Sequence, residues 1–122
     1  MAKPFVFIIE DDHNLSRIYS IALQNDFETE IIADGSTALM RLAQMTPTLV
    51  ILDLNLPGLA GRNILASIRD DERLRKTPVI LCTADERQAE TLRDEADIVM
   101  LKPVSPSQLR QMAARLCAPK QQ

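Results

Sequence analysis

Three stretches of the chain are apolar runs without the alternation of a half-exposed strand, residues 5–9 (FVFII), 49–52 (LVIL) and 78–82 (PVILC), and a fourth stretch, residues 97–101 (DIVML), reads as the last strand. Runs of this length and composition predict strands buried on both faces. A fifth, residues 28–33 (ETEIIA), carries Glu28 and Glu30 and belongs at a sheet edge, where charge discourages pairing with another chain. Between the runs the period becomes helical. Leu15, Ile18, Ile21 and Ala22, separated by Ser16, Arg17, Ser20 and Gln24, predict a first helix that ends near Asp26 and turns those four apolar residues inward. Residues 36–45 predict a second helix burying Ala38, Leu39, Leu42 and Ala43, and a third begins near Arg62 with Ile64, Leu65 and Ile68 inward. Its tail, residues 69–76 (RDDERLRK), reads as a solvated charged exit. A fourth helix, over about residues 86–94, is short and has Ala89 and Leu92 as core positions. The last opens on Ser105-Pro106-Ser107-Gln108, an N-cap with proline at the first helical position and Gln three residues past the cap. It buries Leu109, Met112, Ala113 and Leu116, and residues 118–122 form a short tail.

Strands alternating with helices in this way imply a parallel sheet covered on both faces, an α/β fold. The charged second strand at one edge and the apolar first and third in the middle favour the doubly wound, flavodoxin-like order 2-1-3-4-5. Ligands then gather at the carboxyl ends of the strands, above strands one and three.

A chain of 122 residues, 46% hydrophobic and 25% charged, has the size and composition of one globular domain spanning residues 1–122. The balance of 17 acidic against 14 basic residues, the lack of a Lys/Arg block and an aromatic content of 3% argue against a nucleic-acid partner. No apolar run approaches the roughly 20 residues that span a bilayer, and the start MAKPFVFIIEDD lacks a signal peptide's apolar segment and cleavage site, so a cytoplasmic protein is expected. Cys82 and Cys117 lie in apolar contexts that suit buried thiols better than a disulfide or a metal site.

The chemistry concentrates where the strands end. Strand one delivers Glu10, Asp11 and Asp12, strand three Asp53, strand four Thr83 and strand five Lys102. Crowded carboxylates repel, and a divalent cation relieves the repulsion. The all-oxygen donor set points to magnesium or manganese. An aspartate in such a site is a nucleophile toward phosphorus, with the metal, the Lys102 ammonium and the Thr83 hydroxyl each available to one phosphoryl oxygen. Each residue also has a plainer reading: Asp53 and Thr83 as caps, Lys102 as a surface lysine, Asp12 as the favourable charge of a helix N-terminus. His13, the single histidine, reads as a solvent-facing loop residue, since magnesium avoids imidazole. Tyr19 and Phe27 read as helix and core residues. Pro57, Gly58 and Gly61 shape the loop beside Asp53.

The motifs IIEDD, DLNLPGLAG, Thr83-Ala84 and Lys102-Pro103, in that order, resemble the receiver domain of two-component response regulators across essentially the whole chain. The resemblance implies that Asp53 is the phosphoacceptor, phosphorylated by a histidine kinase or a histidine phosphotransfer protein. It implies Asp11, Asp53 and the backbone carbonyl of Asn55 as magnesium ligands, with Glu10 acting from the second shell or through water. Thr83 matches the switch hydroxyl and Lys102 the lysine that pairs with the phosphoryl group. Such a protein promotes its own phosphorylation and dephosphorylation and is not a multiple-turnover enzyme on an external substrate. Its further partners would be a second copy or a downstream protein. Two departures concern output. Val99 stands where the family usually has Tyr or Phe, and the segment between Thr83 and Lys102 is about one helical turn short, within the fourth helix. The resemblance also implies that Asn55 and Asp85 occupy positions flanking the route of attacking water.

Three other functions compete. An interaction module with a retained pocket and phosphorylation-independent or atypical output fits Val99 and the short helix. A phosphatase similar to the haloacid dehalogenases is disfavoured because that nucleophile lies on the first strand and the second motif position there is an acid, here Asn55. A flavodoxin-like electron carrier lacks its phosphate loop and the aromatic residues that cover a flavin. The MAKP start suits a complete single-domain protein better than a receiver cut from a longer regulator or hybrid kinase.

Overall fold

Each apolar run becomes a strand and each periodic stretch a helix in the computed structural model, which describes residues 3–57 and 59–118. Gly58, expected in the turn after the third strand, and residues 119–122 of the expected tail lie outside the described residues. The elements run β1 (Phe5–Ile9), α1 (His13–Leu23), β2 (Glu28–Ile32), α2 (Gly35–Gln44), β3 (Leu49–Asp53), α3 (Gly61–Asp70), β4 (Val79–Thr83), α4 (Glu86–Leu92), β5 (Ile98–Leu101) and α5 (Pro106–Cys117). The strands are all parallel, in the order β2-β1-β3-β4-β5 that the charge pattern predicts. No helix among the described residues is long and apolar enough to cross a membrane.

Strand alternation divides the interior in two. Phe7, Ile9, Val50, Leu52, Val79 and Leu81 pack with Ala38, Leu42, Ile64, Leu65, Ile68 and Leu92 under α2, α3 and α4. Val6, Ile8, Leu49, Ile51, Ile80 and Cys82 pack with Tyr19, Leu23, Leu109 and Ala113 under α1 and α5. Helices start where short polar side chains satisfy the free N–H groups. Asp12 accepts from the Leu15 N–H at 3.0 Å, Asp34 from Thr37 at 2.8 Å and Ser105 from Gln108 at 3.2 Å.

The structure corrects several expectations. In α1 the inward residues are Ser16, Tyr19 and Leu23, while Ile18 and Ile21, expected inside, are exposed. Ala43 of α2 also faces solvent. His13 is exposed as expected, but as the first residue of α1 rather than in a loop. Cys82 is buried, and burial pushes its thiol well above the ordinary value, whereas Cys117 is only half-buried.

The exit from α3 is solvated at Asp70, Glu72, Arg73, Arg75 and Lys76, as expected, but Arg69 at the end of α3 and Leu74 turn inward. Arg69 donates to the carbonyls of Glu95 at 2.7 Å, Arg75 at 3.0 Å and Thr77 at 2.8 Å, and to Asp97 Oδ1 at 2.8 Å. The same Asp97 oxygen accepts from the Val79 N–H at 2.8 Å, so one guanidinium joins the end of α3, the start of β4 and the approach to β5. Removing it strands several acceptors at once. Arg69→Ala is expected to lower stability by about 2–3 kcal/mol, read as a lower urea midpoint at unchanged slope.

At the β2 edge, Glu30 accepts from Arg41 Nε at 2.6 Å and from Nη2 at 2.7 Å, and the Arg41 guanidinium lies 5.6 Å from the centroid of the Phe7 ring. The bidentate hydrogen bond holds the Glu30 carboxyl below its ordinary 4.5. A carboxyl lowered by folding adds stability that is complete above 4.5 and disappears as pH falls through the lowered value. The gap in melting temperature between wild type and Arg41→Leu should therefore be widest at neutral pH and narrow on acidification below 4.5.

Candidate functional site

The strand register builds the site. Ile9 pairs with Leu52, which sets Glu10 beside Asp53; Asp53 pairs with Cys82, and Thr83 with Leu101, next to Lys102. Backbone bonds continue this alignment past the strands: Glu10 N–H to the Ile32 carbonyl at 3.0 Å, and Lys102 N–H to the Thr83 carbonyl at 2.8 Å. By alternation Glu10, Asp53 and Lys102 share parity with the α1/α5 side, whereas Thr83 follows Val79 and Leu81 to the α3/α4 side.

Lys102 and the acids come together as expected. Its ammonium lies 3.1 Å from Asp53 Oδ1 and 3.2 Å from Glu10 Oε1, and both carboxylates are 2% exposed. Asp53 Oδ1 also accepts from the Asn55 N–H at 3.3 Å, which steadies the carboxylate. Glu10 Oε2 accepts from the Asp12 N–H at 3.1 Å. Burial pushes the Glu10 carboxyl up to about 7; the Asp53 charge adds to this, while the Asp12 N–H and Lys102 oppose it. Burial alone would lower the Lys102 ammonium, but the hydrogen bonds and charges of Asp53 and then Glu10 outweigh it and raise it. Asp11 is exposed on the rim, and Asp12 caps α1.

These residues fit a hard divalent cation. Glu10, Asp11 and Asp53 each offer a carboxylate oxygen within 4.8 Å of the others, all oxygen donors of the kind magnesium prefers. Glu10 Oε1 is fully buried and, although close to Lys102, makes no aligned hydrogen bond, so it retains capacity for positive charge.

Gly61 lets α3 reach the strand end: a Cβ there would meet the Asp53 carbonyl and lie 2.7 Å from Leu54 Cα. Its N–H donates to the Leu54 carbonyl at 3.0 Å and closes the loop below the acid.

Thr83 is buried, but its hydroxyl is turned toward α4. It accepts from the Asp85 N–H at 3.0 Å and donates to Gln88 Oε1 at 3.4 Å. Asn55 and Asp85 stand exposed at the mouth, in an open cleft of about 680 Å³ that Ala84, Glu86 and Arg87 complete. Val99 is half-buried opposite Leu81.

Gln88 is the residue beside the site that the sequence expectations do not include. Gln88 had a usable signal, because Asp85-Glu86-Arg87-Gln88 is an N-cap followed three residues later by Gln. Tyr19 is a buried helix residue, as expected, and its hydroxyl and Glu10 Oε1 are the two buried side-chain nitrogen or oxygen atoms lacking a hydrogen-bond partner among the described residues. Burial raises the Tyr19 phenol, and the neighbouring Cys82, Glu10 and Asp53 add to it.

Comparison with known proteins identifies the family and the fold. The family model described as response regulator receiver domain matches residues 6–114. The DNA-binding response regulator MtrA of Mycolicibacterium smegmatis is 33% identical over 108 residues, 85% of this chain and 46% of that protein. The chain thus spans about half the length of the curated regulators it matches. Among solved structures, the phosphorylated cyanobacterial phytochrome response regulator RcpA is 30% identical with a TM-score of 0.81, over 94% of this chain and 91% of that one. The Mn(2+)-bound form of response regulator Rcp1 shares the fold at a TM-score of 0.84 and 24% identity, over 97% of each chain. Strand order, family match and homology lead to one conclusion: the chain belongs to the response regulator receiver domains, homologous to the phosphoacceptor domains of two-component systems.

Proposed function

We propose that Asp53 accepts a phosphoryl group from a phosphohistidine of a histidine kinase or a histidine phosphotransfer protein, in a magnesium-dependent reaction. The observation that carries this reading is a carboxylate at the end of β3, 2% exposed, held by Lys102 at 3.1 Å and faced by two further acids. In the transfer a carboxylate oxygen of Asp53 bonds to phosphorus as the phosphorus–nitrogen bond breaks, and the electron pair leaves with the imidazole nitrogen. Lys102 stays beside the reacting centre and pairs with an equatorial oxygen. The Asn55 N–H orients the carboxylate, and the Thr83 hydroxyl turns from α4 to a third oxygen. Asp11, Asp53 and the Asn55 carbonyl would hold magnesium, with Glu10 behind them; when bound, the cation neutralises charge on the phosphoryl oxygens. That RcpA is a phosphorylated protein and Rcp1 a Mn(2+)-bound one supports this reading.

The chain acts on its own aspartate and turns over no external substrate. Residues 1–122 serve as one receiver unit in the cytoplasm, where the phosphohistidine is made, and its output partner is a protein or a second copy instead of nucleic acid. Homology to phosphoacceptor domains favours this over a module whose pocket has fallen out of use.

Incubation with a small acyl phosphate and magnesium should load one phosphoryl group per chain, released by hydroxylamine as an acyl phosphate is. No uptake at any magnesium concentration would contradict the proposal.

A further inference from the structure

A hydroxyl has one proton to give. The Thr83 hydroxyl donates that proton to Gln88 Oε1 at 3.4 Å, and the Thr83 oxygen itself accepts from the Asp85 N–H at 3.0 Å. Asp85 accepts in turn from the N–H groups of Arg87 at 2.8 Å and Gln88 at 3.3 Å. The first turn of α4 is therefore tied to one buried hydroxyl through both ends of a small hydrogen-bonded ring. That hydroxyl is also the group the proposed reaction needs at Asp53.

We propose that Gln88 is a positioning residue of the switch: it competes with the phosphoryl group on Asp53 for the single proton of Thr83, so that phosphorylation breaks the Thr83–Gln88 link and releases the first turn of α4. This rests on Asp53 as the phosphoacceptor. The competition is exclusive, because one O–H cannot be directed both to α4 and to Asp53. It is also reversible at small expense, since a bond of 3.4 Å is long for a hydroxyl donor. The element it holds is easily moved: α4 has seven residues and two buried anchors, Ala89 and Leu92. The neighbouring strand offers the hydroxyl no substitute, as Val99, paired with Leu81, has no polar side-chain atom.

Two substitutions act in opposite directions. Gln88→Met keeps length and removes the acceptor; Gln88→Glu replaces it with a charged, stronger one. With beryllofluoride and magnesium as the phosphoryl mimic, Gln88→Met should bind about two- to ten-fold tighter than wild type and Gln88→Glu weaker by a similar factor. In a Thr83→Val background both differences should collapse, which separates competition for the hydroxyl from a simple charge effect. Without the mimic, backbone amide resonances of residues 84–92 in Gln88→Met should already move toward the positions wild type adopts with it. Equal affinities for Met and Gln at position 88, or differences that persist in Thr83→Val, overturn the latch while leaving Asp53 in its role. If the mimic binds none of the chains, the assignment of Asp53 fails and this inference with it.

Discussion

Asp53→Asn is expected to take up no phosphoryl group from an acyl phosphate in magnesium, with an unfolding midpoint equal to or above that of wild type. The substitution keeps the shape of the side chain and a carbonyl oxygen for Lys102 and the Asn55 N–H, the two groups that now hold Oδ1. What it removes is the proposed nucleophile. It also removes one of two neighbouring carboxylate charges in a buried place, part of what pushes the Glu10 carboxyl up to about 7. The fold thus loses a repulsion along with a pairing, and chemistry and stability separate in one variant. Intact-mass measurement before and after the donor, beside a thermal melt, reads both. Labelling of Asp53→Asn at the wild-type rate would move the acceptor elsewhere.

Lys102→Met should slow phosphorylation by about 10²–10³-fold and destabilise the fold by about 2 kcal/mol. The ammonium touches both acids, at 3.1 Å and 3.2 Å, and is itself 22% exposed. Without it two buried carboxylates face each other with no counter-charge, and a developing phosphoryl charge loses its fixed cation. The stability loss stays below that of a fully enclosed pair because the edge is open to water on the Asp11 side. Lys102→Arg should recover most of the stability and little of the rate, since a planar fork cannot place its charge where a compact ammonium sat. Single-turnover rates with a small donor, and urea midpoints for the three proteins, measure the two effects. A Lys102→Met protein that phosphorylates normally would remove the lysine from the chemistry.

The sheet edge was legible because its signals are local. Uninterrupted apolar runs mark buried strands, and an acid or lysine that breaks such a run must stand at a strand end. Glu10, Asp53 and Lys102 share strand parity, so their meeting could be read by counting, and the same count carries the Thr83 hydroxyl to the other face of the sheet. Surfaces of helices are less legible. In α1 apolar residues lie on two stripes, Leu15, Ile18 and Ala22 beside Tyr19 and Leu23, and periodicity does not rank them. Volume decided the outcome: the Tyr19 ring and Leu23 fill the space under α5 beside Cys82, and Ile18 and Ile21 turn outward. The contacts of Arg69 are hidden in the sequence for a related reason. A charged run looks solvated until the backbone carbonyls of Glu95, Arg75 and Thr77, distant or unpaired in sequence, are brought around it.

The output side divides similarly. Asp85 as a helix cap and Gln88 three residues on could be recognised from the sequence, but their shared partner, the Thr83 hydroxyl, is apparent only when β4 and α4 are folded together. Val99 has no polar side-chain atom and α4 is short, so the proposed latch assigns the route from the acid to the surface to that hydrogen-bonded turn.

The most direct measurement locates the phosphoryl group itself: treat the wild-type chain with a phosphohistidine donor and magnesium, trap the acyl phosphate by hydride reduction, digest, and sequence the modified peptide by mass spectrometry. The account predicts a single modified residue, Asp53, in the segment that begins at Leu49. Modification at His13, at Asp11 or at a hydroxyl residue, with Asp53 intact, would contradict it.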